Sequence, residues 1–341
     1  MVEIQPNQEY PVTKEQIQTS WNDYLSKNET PEAVVIEITN YCSNNCAHCY
    51  ANLSIGKNTT HMSSDTFNDC LNVISSNTER KPKQIWLVGG EPTKHPQLLE
   101  FIEKTKNSGF EAVIVTTGES FSDERYCQEI TPDVHEIAAT IRGYGAFHDI
   151  MMLHAKNELF LSVPNGILSS REQIKNTLEQ VKKNPDASEH FDKTIQGLSN
   201  ISKIRADTGS NIRISLNVDL QAMTDLYQII KLLNLKKIPI ESLILQIQTF
   251  SETNQQLADI IPNLWRKPTV SIVEAYYKQA RFLKESGMYT GEIAIIDHLS
   301  PEILNGLRSR GIELGEFYHP AATPAISPIG ELRSNVIKET I

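Results

Sequence analysis

Short runs rich in branched aliphatic residues recur along the chain and predict β-strands. Amphipathic helical patterns separate most of them, as at Thr66–Ser75 and at Pro96–Asn107, where Gly109 then provides a stop. This alternation is typical of repeated βα units around a parallel sheet, so we predict an α/β fold with a partial, TIM-like (β/α)6 barrel. The predicted strands are Ala33–Thr39, Gln84–Gly90, Glu111–Thr117, Glu136–Ile141, Ile212–Val218 and Ser242–Gln248.

The sequence pattern predicts that the chain is organised in three regions. Residues 1–32 form a leader with one helix, Lys14–Lys27, that Thr13 caps. Residues 33–250 form the barrel, and residues 251–341 form a C-terminal α+β extension packed on it. Within the extension we predict a helix at Ser271–Ser286, a strand at Glu292–Ile296, a helix at Pro301–Arg310 and a short terminal hairpin.

An insertion of about residues 150–189 separates the fourth and fifth predicted strands. It contains an apolar patch, Phe160–Val163, and a charged helical pattern from Ser170 to Lys183. Two interpretations stay open at this point, namely a lid over the active site and a surface elaboration of the barrel.

Composition and charge narrow the class of protein. Lys and Arg total 32 against 42 Asp and Glu, so the net charge is −10, which disfavours a nucleic-acid partner. No apolar run is long enough to cross a bilayer, and the first ten residues have neither the basic nor the apolar region of a signal peptide. We therefore expect a cytoplasmic protein without a membrane partner.

Five cysteines are present, and three of them, Cys42, Cys46 and Cys49, fall within eight residues. The other two, Cys70 and Cys127, stand alone. An odd and clustered set argues against a disulfide framework and for a metal or redox site in a reducing compartment. The cluster follows the first predicted strand, at the end of a parallel barrel where active sites are built.

Three thiolates leave a four-coordinate metal or a four-iron cluster one ligand short. A structural zinc site would need a fourth ligand such as His48, whose position next to Cys49 suits the same ion poorly. An iron–sulfur cluster with one open iron can instead bind a small molecule, and the sequence favours that alternative.

The spacing C-x-x-x-C-x-x-C after the first strand, together with Gly89-Gly90-Glu91-Pro92 at the end of the second, resembles the radical S-adenosylmethionine (radical SAM) superfamily. The resemblance covers about residues 33–250. It implies a [4Fe–4S] cluster on Cys42, Cys46 and Cys49, and a turn whose backbone and glutamate meet the amino group of S-adenosylmethionine. Physically, two glycines allow a close approach of the backbone, and a carboxylate suits an ammonium group.

Weaker similarities mark further candidate cofactor contacts. Thr116-Thr117-Gly118 resembles the family's T-x-N-G position without the asparagine, so Thr117 is a candidate. Arg142, in Thr140–Gly143, is a candidate partner for the cofactor carboxylate, with a surface ion pair as the alternative. His148 and Asp149 are expected to cap the following loop. Strand amides are candidates for ribose or adenine contact or for core hydrogen bonding: Asn217, Gln246 and Gln248.

The resemblance implies a radical enzyme. One-electron reduction of the cluster would cleave the bound S-adenosylmethionine and give a 5′-deoxyadenosyl radical, which abstracts a hydrogen atom from the substrate. The electron would come from a donor such as flavodoxin or ferredoxin. The protein's own part would be to place the target C–H bond and to exclude water.

The end of the chain resembles the SPASM/twitch extension that holds auxiliary clusters in many relatives, but His319 and Ser334 stand where cysteines are expected. No cysteine follows Cys127, so we predict a degenerate extension and a single cluster, with chance similarity in a hairpin as the alternative. One cluster favours redox-neutral chemistry: rearrangement, epimerisation, elimination or decarboxylation. Cys70 lies in a predicted amphipathic helix and is expected in the core, whereas Cys127 lies in a polar stretch after the third strand. Hydrogen-atom donation to a substrate radical is the alternative role for either thiol.

Three hypotheses for function follow. The favoured one is an enzyme acting on a small polar metabolite of sugar, nucleoside or amino-acid type. The second is an enzyme that modifies a peptide after translation, which we disfavour because only 32 residues precede the first strand. The third is an iron–sulfur or zinc sensor without catalytic activity, which would have no need of the Gly89–Pro92 turn.

Overall fold

The structure is a computed structural model, and it describes residues 13–28, 30–44, 59–145, 148–149, 152, 189–219, 226–246, 269–296, 301–312, 318–319, 325–326 and 332–333. The predicted insertion lies almost entirely outside the described residues, including Phe160–Val163 and Ser170–Lys183. Cys46, Cys49, His48, Gln248 and Ser334 lie outside them too.

Seven parallel strands in chain order form the centre of the sheet. The alternating pattern of the sequence predicted these strands to within two residues at each end, apart from the sixth, of which the described part ends at Gln246. The predicted α/β fold with a TIM-like partial barrel is therefore confirmed. The strands are β1 (Ala33–Thr39), β2 (Gln84–Gly89), β3 (Glu111–Thr116), β4 (Glu136–Ile141), β5 (Arg213–Asp219), β6 (Ser242–Gln246) and β7 (Glu292–Ile296).

Helices connect the strands, and their ends follow from local capping. Thr13 and Gln16 form a capping box at the start of α1, as the sequence predicted for Thr13. Ser63 caps α2, which therefore begins two residues before the predicted start. Gly109, with φ +75°, follows the end of α3. The helices are α1 (Lys14–Lys27), α2 (Ser64–Ser75), α3 (Leu98–Asn107), α4 (Glu124–Ile130), α5 (His190–Thr208), α6 (Leu226–Leu235), α7 (Val270–Glu285) and α8 (Pro301–Ser309).

Strands from the predicted C-terminal extension join the same sheet at both edges. β7 pairs in parallel with β6, and the short β8 (Tyr318–His319) pairs with β7. At the other edge, β9 (Ala325–Ile326) pairs in parallel with β1, and β10 (Leu332–Arg333) returns antiparallel beside it. The predicted terminal hairpin is thus present, and it lies against the strand that leads to the cysteines.

One face of the sheet packs against the helices and forms the hydrophobic core. Ile36 and Ile38 of β1 belong to the same buried cluster as Phe67 and Phe101, whose rings stack at 4.1 Å. Each such buried side chain contributes about 1.5–3 kcal/mol. Polar residues alternate with the core positions and therefore lie on the opposite face of the sheet, among them the buried Glu37, Glu136, Ser215 and Asn217. Among the described helices, none combines the length and the apolar character that a membrane span requires.

Candidate active site

The end of β1 places Cys42 at the carboxyl edge of the sheet. Cys42 is partly exposed, and its Sγ accepts a hydrogen bond from the backbone N–H of Asn44 at 3.4 Å. Sulfur that accepts backbone N–H groups is typical of thiolate ligands in metal centres. The described part of the structure thus shows the first of the three predicted ligands in a suitable environment, and the roles of Cys46 and Cys49 stay predictions.

Both ends of the loop that carries the cysteines are bonded to β1. After the loop, the carbonyl oxygen of Thr60 accepts the backbone N–H of Asn40 at 3.1 Å. The backbone N–H of Thr60 donates to Asn40 Oδ1 at 2.6 Å. Thr39 Oγ1 lies 2.9 Å from His61 Nδ1. Sequence reasoning missed these residues, because no spacing rule indicates which side chains close a loop over 20 residues.

The turn after β2 lies directly against the backbone that leads to Cys42. A Cβ added to Gly90 would lie 2.2 Å from the carbonyl oxygen of Tyr41, and one added to Gly89 would lie 2.2 Å from that of Thr39. Gly89 also has φ +151°, which L residues rarely adopt. The sequence predicted a close approach of these glycines to a ligand; the structure shows a close approach to the cysteine-bearing segment.

Two backbone hydrogen bonds join this turn to the cysteine segment. Gly90 N–H donates to Thr39 O at 2.7 Å, and Glu91 N–H donates to Tyr41 O at 2.8 Å. These bonds hold the Gly89–Pro92 turn against the start of the cysteine loop, so a ligand bound by the turn would lie close to the segment that carries Cys42.

The Glu91 carboxylate is buried and accepts four hydrogen bonds from the protein. Oε1 accepts from the N–H and Oγ1 of Thr93, at 3.1 and 2.6 Å, and from Thr116 Oγ1 at 2.6 Å. Oε2 accepts the backbone N–H of Thr117 at 2.9 Å. Among the described contacts Oε2 accepts this one hydrogen bond, so it keeps capacity for a further donor such as an ammonium group.

Thr117 lies where the sequence predicted, directly after β3. Its carbonyl oxygen accepts from Thr194 Oγ1 of α5 at 2.8 Å, and Gly118, with φ +81°, begins a turn of 3-10 helix at Glu119–Ser122. A polar cavity of about 160 Å³ opens between this turn and the cysteine loop. Its lining residues are Ser43, Glu91, Lys94, Thr117, Glu119, Ser120 and Lys193.

Arg142 follows β4 at the same edge of the sheet and is half-buried. Its backbone N–H donates to Nδ1 of the fully buried His148 at 3.0 Å, and Asp149 Oδ1 accepts from the N–H of Phe191 at 2.7 Å. His148 and Asp149 thus hold backbone groups of the loop and of α5, in agreement with the predicted capping role. Burial lowers the pKa of His148 to about 3 and raises that of Asp149 to about 6.

Asn217 and Gln246 lie on neighbouring strands, and Gln246 is two positions nearer the carboxyl edge of the sheet, because Asn217 pairs in register with Ile244. Asn217 of β5 is buried and pairs in register with Thr140 of β4, while Gln246, the last described residue of β6, pairs in register with Asp219. Both therefore lie toward the edge of the sheet that carries the cysteine loop and Arg142. Their contact with a cofactor stays a prediction.

Cys70 of α2 and Cys127 of α4 belong to the hydrophobic core. Both are fully buried, and burial raises the pKa of each thiol to about 12. The core position of Cys70 agrees with its amphipathic helix. The burial of Cys127 was not evident from its polar neighbours, because α4 is only seven residues long and presents little periodicity.

The described residues suit the iron–sulfur cluster and the S-adenosylmethionine that the sequence implies. A thiol aimed from a loop at the carboxyl edge, with a backbone N–H on its sulfur, is chemically suited to iron. The adjoining cavity brings together carboxylates and two lysines, which suits a small molecule carrying both an ammonium and a carboxylate group. The arrangement defines an α/β enzyme whose site lies at the carboxyl ends of parallel strands.

Comparison with known proteins agrees with this geometry. Residues 36–185 match the sequence model of the radical SAM superfamily. SuiB from Streptococcus suis, solved with S-adenosylmethionine, aligns with a TM-score of 0.58 at 10% identity over 93% of this chain and 64% of SuiB. HydG, a maturase of the [FeFe]-hydrogenase, aligns with a TM-score of 0.50 at 12% identity over 92% of this chain and 63% of HydG. No curated protein matches the chain in sequence.

The match assigns residues 36–185, somewhat less than half of the chain, to the radical SAM superfamily. Enzymes of this superfamily use a [4Fe–4S] cluster and S-adenosylmethionine, and they need a reductant. The chain spans less than two thirds of the length of these two structures, 64% of SuiB and 63% of HydG.

Proposed function

We propose that the protein cleaves S-adenosylmethionine reductively at a single [4Fe–4S] cluster held by Cys42, Cys46 and Cys49, and abstracts a hydrogen atom from a small polar metabolite. The observation that carries this proposal is the 2.8 Å hydrogen bond from Glu91 N–H to Tyr41 O. It joins the turn that resembles an amino-acid-binding motif to the loop that carries the cysteines. The bound cofactors supply the one-electron cleavage and the radical.

The chain's own residues would bind and orient the cofactor. Glu91 Oε2 can accept an ammonium group, since among the described contacts it accepts one hydrogen bond whereas Oε1 accepts three. Arg142, at the same edge of the sheet, is proposed to pair with the carboxylate, a geometry that guanidinium favours. The proposed cofactor contacts are Gly89, Gly90, Glu91, Pro92, Thr117, Arg142, Asn217 and Gln246.

A small polar substrate is supported by the character of the sheet face opposite the helices. Ser215 Oγ donates to Glu136 at 2.5 Å, and the buried Asn217 lies two positions nearer the cysteine edge on the same strand. Buried polar groups of this kind suit hydroxyl and amine groups better than an extended apolar chain. A sugar, a nucleoside or an amino acid has the required chemistry.

A second candidate function is the modification of a peptide. One solved structure to which the chain is similar is SuiB bound to its precursor peptide SuiA, with a TM-score of 0.58 and 64% of that protein covered. At 10% identity this likeness concerns the fold. It nevertheless makes a peptide the first alternative to test, ahead of a sensor without catalytic activity.

The proposal is tested by anaerobic reconstitution followed by reduction in the presence of S-adenosylmethionine. We expect about four irons per chain and the formation of 5′-deoxyadenosine, which the Cys42→Ala variant should not form. Protein that carries a full cluster and forms no 5′-deoxyadenosine would contradict the enzyme. Pools of sugars, nucleosides, amino acids and peptides are then compared by how far each stimulates that product, with flavodoxin or ferredoxin as the electron donor.

A further inference from the structure

Asn44, between the first two cysteines of the loop, makes two hydrogen bonds that link the loop to another part of the sheet. Its backbone N–H donates to Cys42 Sγ at 3.4 Å, and its side-chain Nδ2 donates to Glu119 Oε1 at 3.0 Å. Asn44 is only 4% exposed. One buried residue therefore connects the sulfur of a proposed cluster ligand to a carboxylate that follows β3.

The second oxygen of Glu119 is bound as well. Oε2 lies 2.8 Å from Nδ1 of His190, the first residue of α5, and the Glu119 and His190 side chains are only 17% and 14% exposed. Asn44, Glu119 and His190 thus form a line of side-chain hydrogen bonds, which we name the Asn44 relay. The carboxylate has a fixed partner on each oxygen, which limits its orientation.

The helix that anchors the Asn44 relay is itself fixed to the turn that carries Glu119. A Cβ added to Gly197 of α5 would lie 2.3 Å from the carbonyl oxygen of Gly118, so the two backbones are in close contact. Asn200 Nδ2 also donates to the carbonyl oxygens of Phe121 and Ser122, at 2.9 and 3.0 Å. His190 is therefore a rigid support for Glu119, and the relay is not a mobile surface pair.

We propose that Glu119 is a positioning residue for the cluster, acting through Asn44 to keep the Asn44 N–H directed at Cys42 Sγ. This inference rests on the proposed function, because it takes Cys42 as a cluster ligand. A hydrogen bond to a ligand sulfur stabilises the additional negative charge of a reduced cluster and so raises its reduction potential. Glu119 accordingly tunes the potential through Asn44.

The test measures the cluster in reconstituted full-length protein in the absence of S-adenosylmethionine. In Glu119→Ala and in Asn44→Ala we expect a more negative midpoint potential, an altered electron paramagnetic resonance spectrum of the reduced cluster, and about tenfold faster loss of iron to a chelator. The double variant should match either single variant, because both act through one path. Glu119→Gln keeps an acceptor for Asn44 and should lie closer to the wild-type protein.

Glu124→Ala serves as the matched control. Glu124 is a nearby carboxylate in an exposed pair with Lys203 at 2.6 Å, and its removal should change neither the potential nor the spectrum. If Glu119→Ala does not fold, Asn44→Asp replaces it. A carboxylate at position 44 cannot donate to Glu119, so the bond between the two side chains should be lost and the spectrum of the reduced cluster should change as expected for Glu119→Ala.

Two outcomes would overturn the Asn44 relay: an unchanged potential and spectrum in the folded variants, or effects of Asn44→Ala and Glu119→Ala that simply add. A wild-type chain that binds no cluster would instead contradict the proposed function. The two failures are therefore distinguishable by the iron content of the wild-type protein alone.

Discussion

The backbone N–H of Glu91 donates to the carbonyl oxygen of Tyr41 across 2.8 Å, one residue before Cys42. This bond joins two segments that are 50 residues apart in the sequence, and it fixes the proposed cofactor-binding turn against the proposed cluster loop. The glycines before Glu91 are required by this contact, since any side chain there would meet the carbonyl oxygens of β1 and Tyr41.

Replacing Gly90 by alanine is expected to displace the cysteine loop. The new Cβ would lie 2.2 Å from Tyr41 O, and no flexible side chain can move aside because the neighbour is backbone. We expect iron content after reconstitution to fall well below that of the wild-type protein, and the free energy of unfolding to fall by about 1–3 kcal/mol. Iron analysis and urea denaturation check both.

Gly209→Ala is the control for that substitution. Gly209 ends α5 with φ +69° and has open space around its Cα, so alanine there should cost about 1–2 kcal/mol through backbone strain alone. Its iron content should remain that of the wild-type protein. Equal loss of iron in the two variants would show that the effect of Gly90→Ala is general destabilisation.

Glu91→Gln is expected to weaken both the fold and the binding of S-adenosylmethionine. An amide nitrogen at the Oε2 position would face the N–H of Thr117, so two donors would oppose each other. The cost for a buried group of this kind is about 1–3 kcal/mol. Urea denaturation measures the stability, and titration of the reconstituted protein with S-adenosylmethionine measures the affinity. Unchanged affinity would contradict the role of the carboxylate in binding.

Stability should fall in mild acid because of His148. Burial holds its pKa at about 3 in the folded protein, against the ordinary value of 6.5. Below pH 6.5 His148 is therefore protonated in the unfolded chain, whereas in the folded chain it stays neutral down to about pH 3. Between these two values the free energy of unfolding falls by up to about 1.4 kcal/mol for each pH unit of acidification.

His148→Asn tests this pH dependence, because its Oδ1 can still accept the Arg142 N–H. Urea midpoints of this variant should depend less on pH than those of the wild-type protein between about pH 6.5 and pH 4. Asp149 works in the opposite direction, since its pKa is raised from 3.8 to about 6 and the folded state binds its proton first. Asp149→Asn should therefore steepen the loss in acid, and parallel curves for all three proteins would contradict both assignments.

We expect that neither Cys70 nor Cys127 is needed for cluster assembly. Burial raises the pKa of both thiols to about 12, so neither is a thiolate near neutral pH. Cys70→Ala and Cys127→Ala should keep about four irons per chain and lose about 1–3 kcal/mol of stability, whereas Cys42→Ala should lose the cluster. In the cluster-free native protein, a thiol reagent should leave Cys70 and Cys127 unmodified until the chain is unfolded. Eight or more irons per chain would contradict the single cluster.

Much of the fold could be predicted from local pattern. The seven central strands and α1 were predicted within one or two residues wherever they are described, because alternation and capping are local properties of the chain. The placement of β7 was not predictable in the same way. Its pattern showed a strand, but only the tertiary structure shows that it extends the parallel sheet beside β6.

The candidate site likewise has features that the sequence shows and features that only the tertiary structure shows. The sequence by itself determined the spacing of the cysteines and the Gly89–Pro92 turn, since both are contiguous in the chain and each has a specific chemistry. Only the tertiary structure decided what the glycines face and how Asn44, Glu119 and His190 come together. Those contacts join residues up to 75 positions apart, and such distant contacts are formed by packing of the whole sheet and its helices.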